Sequence, residues 1–296
     1  MTTTQEILDV ALAKIGEGYV FPERAAEVDR AIRERLAAGE YDGLAGPELC
    51  TRVTADFQEV CPDKHLRLLW QDEPQSLTEQ ESEEESRARW AAIYRADNYG
   101  IRRVEQLDGN IGYLDIRSIP DAVEGGRAFA AAMELVAVTD ALVIDLRKCR
   151  GGSPDGVALW CSYLFPDGEV HLNDIYERAT DSTRQFWTVA HLPAPRYLDR
   201  PVYVLTSGFT FSGGEEIAYN LQTQKRATLV GETTRGGAHP TDWMPVTEHI
   251  SVTVPAARSI NPVTGTNWEG VGVVPDLPVP ADDALDTALT HLREAK

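Results

Sequence analysis

Two short apolar runs, Ala141-Leu-Val-Ile-Asp-Leu146 and Pro201-Val-Tyr-Val-Leu-Thr206, each end in a glycine-containing turn that opens into a helical pattern. Runs of this length without polar alternation suit strands buried on both faces, as in a parallel sheet covered by helices. The repeated order of strand, turn and helix places the chain in the α/β class. Ile111-Gly-Tyr-Leu-Asp-Ile116, Ala227 to Val230 and Ile250 to Val254 read as further strands. Helices are expected over Ala128–Val138, Gly156–Phe165, Glu215–Gln222 and about Asp282–Arg293.

The N-terminal part has a different texture. Ile7, Leu8, Ala11 and Ile15 recur at helical spacing up to Gly16-Glu-Gly18, and Pro22 fits the first turn of a second helix carrying Val28, Ile32 and Leu36. Leu49, Val53 and Phe57 mark a third helix, and Cys61 to Trp70 reads as a turn entering a short strand. The expected division is a helical subdomain over 1–70, an acidic spacer over 71–100 with Glu79, Glu81, Glu83, Glu84 and Glu85, and an α/β core over 101–296. A solvated loop or exposed helix suits the spacer.

Charge excludes several function classes. A net charge of -19 with a pI of about 4.7 repels both nucleic acid and anionic membrane surfaces. No apolar run approaches the roughly 20 residues of a membrane span, and the N-terminus shows no basic segment followed by an apolar one, so the expected compartment is the cytoplasm. Cys50, Cys61, Cys149 and Cys161 form no CxxC pair and read as buried thiols. Neither histidines nor cysteines have metal-ligand spacing and no phosphate-cradling loop is present, so no cofactor is expected.

The strongest chemical signal lies in Ser207-Gly-Phe-Thr-Phe-Ser-Gly-Gly214, between a buried strand and a helix. Ser212 stands where that helix begins, beside unpaired main-chain N–H groups suited to negative charge. The N–H of Gly213 could hold an oxyanion formed by attack from Ser212, and the second turn, Gly151-Gly152, could supply another donor. The plainer alternative is that Ser212 only caps the helix. A serine needs a base. Of six histidines, His65 in Pro62-Asp-Lys-His and His239 in Gly236-Gly-Ala-His-Pro240 lie in turns, whereas His171, His191, His249 and His291 have no such context. Glu269, in a glycine-punctuated loop, could orient an imidazole, and spacing alone does not choose between the two histidines.

Four segments, Leu142 to Gly152, Thr206 to Glu216, Val230 to Pro240 and Glu269 to Asp276, occur in an order that resembles family forty-one of the serine peptidases, a likeness spanning about residues 105–280. That family includes tail-specific peptidases, tricorn core protease and the non-peptidase interphotoreceptor retinoid-binding protein. The resemblance implies a crotonase-like α/β core, a nucleophile at Ser212, and oxyanion amides from Gly213 and the Gly151-Gly152 turn. The lysine base of tail-specific peptidases is absent, because Gly237 stands at its position. Tricorn-like members use a Ser-His-Glu triad, which maps onto Ser212, His65 and Glu269. Cys149 replaces an asparagine common in the family, which bears on the local support of the oxyanion hole. Too little chain separates His65 from Ile111 for a PDZ domain, a layout shared with the retinoid-binding members, as is Gly-Gly-Ala-His-Pro.

Three readings follow. A serine hydrolase would cleave short peptides with Ser212, His65 and Glu269, and His239 as the alternative base. A carrier would keep the fold and bind a small apolar ligand such as a fatty acid or retinoid. A crotonase-type acyl-CoA enzyme would need no serine at 212 and ranks last.

Overall fold

The computed structural model describes residues 2–77 and 83–294, so Glu79 and Glu81 of the acidic spacer lie outside the described residues. In chain order, the first elements are α1 (Thr4–Gly18), α2 (Pro22–Ala37), α3 (Gly46–Val60), β1 (Arg67–Trp70) and α4 (Glu83–Ala96). There follow β2 (Ile101–Leu107), β3 (Ile111–Ile116), α5 (Ala122–Val136), β4 (Ala141–Asp145), α6 (Pro154–Ser162), β5 (His171–Glu177) and β6 (Ser182–Trp187). The chain then forms β7 (Val202–Thr206), α7 (Gly213–Thr223), β8 (Thr228–Gly231), β9 (Thr241–Pro245) and β10 (Ile250–Pro255). It closes with β11 (Ala257–Ile260), β12 (Leu277–Pro278) and α8 (Ala284–Glu294). These elements group into two units.

The first unit takes residues 1–82 together with 175–184 and 239–259. Thr3 and Glu6 cap α1 reciprocally: the Glu6 N–H donates to Thr3 Oγ1 at 3.2 Å, and the Thr3 N–H donates to Glu6 Oε2 at 2.7 Å. The helices bury Leu8 and Ile15, Val28 and Ile32, and Val53 and Phe57 against Leu68 of β1 and Val252 and Val254 of β10. Strands β1, β10 and β9 form an antiparallel sheet in which Leu68 pairs with Val252 and Val252 with Met244. Helices α2 and α3 and the loop between them share one buried carboxylate, Asp56 of α3, which is 4% exposed. It accepts from the Tyr41 hydroxyl at 2.9 Å and from Arg52 Nε at 2.9 Å, and it pairs with Arg35 of α2.

The second unit takes 83–174, 185–238 and 260–296. Its six-stranded sheet has the order β12-β8-β7-β4-β3-β2, parallel throughout except for β2, which runs antiparallel to β3. Alternation assigns the faces. Tyr113, Val143, Tyr203, Leu205 and Val230 pack on Ala284, Ala288 and Leu292 of α8. Ile116 and Ile144 turn the other way, toward Met133 of α5, Trp160 of α6 and Ile217 of α7. Burial on both faces is why β4 and β7 read as uninterrupted apolar runs.

Helix starts differ from the periodicity in small, explicable ways. α5 begins at Ala122 because Asp121 Oδ1 accepts the Val123 N–H at 2.8 Å, and α6 begins at Pro154, a residue suited to the first helical turn. Strands β2 and β9 escaped the sequence pattern because both carry exposed polar residues at a sheet edge. The C-terminal ends of β4, β7 and β8 feed three loops, and in open parallel sheets ligands gather at such ends.

Asp56→Ala would leave Arg35 without its buried partner and the Tyr41 hydroxyl without an acceptor. The expected loss is about 2 kcal/mol. Urea unfolding, with the midpoint compared to that of Asp56→Asn, measures it.

Candidate active site

The loop after β7 is stitched to the loop after β4. Ser207 Oγ donates to the Arg147 carbonyl at 2.6 Å, Thr210 Oγ1 to that of Leu146 at 2.8 Å, and the Phe211 N–H to that of Cys149 at 3.1 Å. Ser212 follows with φ of 52° and ψ of -124°, a conformation that side-chain-bearing residues rarely adopt. Such a backbone costs about 1–3 kcal/mol and persists only where its surroundings enforce it. A strained serine between a strand and a helix is also how an α/β hydrolase presents its nucleophile.

Gly213 is the first residue of α7, so its N–H has no partner within the helix. Gly151 and Gly152 have φ of 94° and 148°. A Cβ on Gly151 would lie 2.6 Å from the Gly213 nitrogen and 2.7 Å from Ser212 Cβ, and one on Gly213 would lie 3.0 Å from the Gly152 nitrogen. Only bare backbone permits this approach. The Ile119 N–H donates to the Gly151 carbonyl at 2.9 Å and the Ser153 N–H to the Ile119 carbonyl at 2.8 Å. This parallel bridge turns the N–H of Gly152 away from Ile119. Ser212, Gly213, Gly151 and Gly152 are therefore brought together within the second unit.

Cys149 supports this turn through its main chain. Its carbonyl accepts the Phe211 N–H, and its side chain sits where a Cβ on Gly214 would lie 2.9 Å from the sulfur. Burial pushes its thiol up to about 12, so it stays protonated and inert. A cysteine in place of asparagine leaves this main-chain support intact.

Glu215, fully buried, holds the serine turn. Its Oε2 accepts the N–H of Ser212 at 2.8 Å and of Gly237 at 2.9 Å. Its Oε1 accepts the Thr234 hydroxyl at 2.5 Å and the Gly236 N–H at 2.6 Å. Burial raises its pKa and these four donors oppose the shift, leaving it above the ordinary value. Glu269 grips the same strap further on: its Oε2 accepts the Ala238 N–H at 2.5 Å, while the Trp268 indole N–H donates to the Gly237 carbonyl at 2.9 Å.

Both candidate bases belong to the first unit, where one carboxylate serves them. The Asp63 side chain turns back on its own loop, Oδ1 accepting the His65 N–H at 3.0 Å. Oδ2 meets His239 Nδ1 at 2.7 Å and accepts the Tyr19 hydroxyl at 3.0 Å. Burial pushes the Asp63 carboxyl up, but the hydrogen bond and charge of His239, with His65 beside it, hold it below its usual value. His239 is 5% exposed and meets Phe21 edge-on at 5.6 Å. His65 is only half-buried, and its carbonyl accepts from Thr253 Oγ1 at 2.6 Å.

Sequence reasoning missed Asp63 and Glu215. Each had a local signature: Asp-Lys-His for a side chain bonding the N–H two residues on, and Ser-Gly-Gly-Glu for a capping box.

Two predictions arise. Glu215→Gln would aim an amide NH2 at two of the four donors, with an expected cost of about 2–4 kcal/mol in thermal or urea unfolding. Glu216, hydrogen-bonded to Asn173 and Asn220, is pushed by burial from 4.5 up to about 8. Its folded pKa exceeds the unfolded one, so its contribution is complete below about pH 4.5 and is lost as pH rises to about 8. Glu216→Gln should flatten stability over that window, as read by melting temperature against pH.

Residues 110–279 match the family model described as peptidase family S41. Among curated proteins, the chain is similar to the carboxy-terminal-processing protease of Bartonella bacilliformis, 26% identical over 178 residues, covering 59% of this chain and 40% of that relative. The chain thus spans less than half the length of this relative. Among solved structures it resembles a lipoprotein from Streptococcus agalactiae, at a TM-score of 0.65 and 13% identity, over 100% of this chain and 98% of that one. It also resembles the photosystem II D1 C-terminal processing protease, at a TM-score of 0.55 and 14% identity, covering 95% of this chain and 94% of that one. At these identities the structural likeness is one of fold.

Proposed function

The chain belongs to peptidase family S41, and on that footing we propose that it is a serine peptidase with Ser212 as its nucleophile. The observation that carries this reading is the backbone of Ser212, held at φ of 52° beside the Gly152 and Gly213 amides. A serine that merely capped the helix would have no use for that strain or for three glycines packed around it.

In the proposed mechanism, Ser212 Oγ attacks the carbonyl of a peptide bond while an imidazole takes its proton. The N–H groups of Gly213 and of the Gly151-Gly152 turn hold the oxyanion, and the imidazolium then protonates the leaving amine. Water repeats the sequence to release the acyl group. We assign the base to His65 with Glu269 as the group that orients it. His65 is supported by its half-buried ring and a main chain fixed on both sides, by Asp63 and Thr253. His239 is the alternative, favoured by its 2.7 Å contact with an ionised Asp63. Its ring is already engaged at Nδ1 and covered by Phe21, which suits a support for Asp63 better than a mobile proton carrier.

Fluorophosphonate labelling and peptide hydrolysis test the proposal together. Ser212→Ala should abolish both, and His65→Ala should slow both by a factor of about 10² to 10⁴. A larger loss in His239→Ala than in His65→Ala would move the base to His239. A wild-type protein that resists the probe and binds a fluorescent fatty acid saturably would replace the peptidase with a carrier.

A further inference from the structure

A cleft of about 1310 Å³ opens beside the Gly151-Gly152 turn, wholly within the second unit. Its charges are unlike those of the chain as a whole, which carries -19. Two of its arginines are neutralised. Arg147 chelates Asp145 at 2.6 Å, with the Tyr113 hydroxyl donating to the same carboxylate, and Arg117 chelates Asp115 at 2.8 Å. Three further cations, Arg102, Lys148 and Arg150, line the cleft and form no ion pair with any described residue. All three are exposed.

The loop geometry explains why two of them face the cleft. After β4 the chain turns over Arg147 and Lys148, the Cys149 N–H donating back to the Leu146 carbonyl at 2.9 Å, and Cys149 is buried between two exposed residues. The residues flanking it, Lys148 and Arg150, stand exposed in the cleft, immediately before the glycines proposed to hold the oxyanion. Opposing carboxylates are few: Asp97, which accepts from the Ser118 hydroxyl at 3.3 Å, and Asp282 on the rim. An apolar wall completes the cleft, with Trp90 and Ile93 of α4 each 46% exposed and Phe209 49% exposed.

Resting on the peptidase reading above, we propose that this cleft selects acidic peptides: segments that place Asp or Glu side chains on Lys148, Arg150 and Arg102 and an apolar side chain on Trp90, Ile93 and Phe209. A strongly acidic protein repels such peptides at long range, so unpaired cations confined to one cleft give it local selectivity. Neutral peptides gain nothing from these three side chains.

The test uses fluorescein-labelled peptides with a central Leu, identical except that two Glu are replaced by two Gln, each made with a free and an amidated C-terminus. Anisotropy with full-length Ser212→Ala reports binding without turnover. The Glu peptide should bind about fivefold more tightly than the Gln peptide whether or not its terminus is amidated, and the gap should shrink as salt rises. Lys148→Glu/Arg150→Glu should reverse the preference, and Arg102→Glu alone should weaken it should the double variant fail to fold. Equal binding of the Glu and Gln peptides, or a preference that follows only the free terminus, overturns the proposal. Fluorophosphonate labelling of the wild type separates the two readings. Normal labelling without acidic preference sinks the substrate class alone, and absent labelling sinks the peptidase.

Discussion

The site depends on the burial of one carboxylate. Glu215 is cut off from water, and burial raises its pKa while four donors that saturate its oxygens oppose the shift. Those donors come from two stretches of chain. One is the serine turn itself, through the Ser212 N–H, and the other is the strap from Thr234 to Gly237. Charge-assisted hydrogen bonds of this kind are strong enough to offset the strain of a serine at positive φ. A single side chain therefore fixes the backbone of Ser212 and the loop after β8 in one step.

The next residue shows how environment, not residue type, sets charge. Glu216 is as deeply buried but meets side-chain amides instead of a ring of main-chain donors, and burial dominates its titration. Two adjacent glutamates thus do different work: one binds a loop as an acceptor, and the other packs behind the helix as a largely neutral acid. Cys161, in α6, is subject to the same apolar surroundings and is likewise kept as a thiol.

Much of this was legible in the sequence, and the exceptions share a cause. β4 and β7 declared themselves because burial on both faces keeps them mostly apolar, and β3 through its alternation. Ser212 and the two glycine turns were legible because they occupy the ends of those strands. Asp63 and Glu215 were harder to see because their importance lies in what they accept from distant stretches, His239 and Thr234 to Gly237, which no local periodicity encodes. The edge strands β2 and β9 were hidden for the opposite reason: their residues face water and resemble loop.

The choice of base is narrowed by Gly237, the position at which tail-specific relatives carry a lysine. Here the residue has no side chain, its N–H is committed to Glu215 and its carbonyl to the Trp268 indole. What excludes a lysine base from the strap is the residue itself, since a glycine offers no amine, and this absence is what the proposed imidazole base answers. Asp63 answers that requirement in the first unit, where it fixes the main chain of one histidine and the ring of the other. Each unit thus keeps its own buried carboxylate: Glu215 beneath the serine turn in the second, and Asp63 beside the histidines in the first.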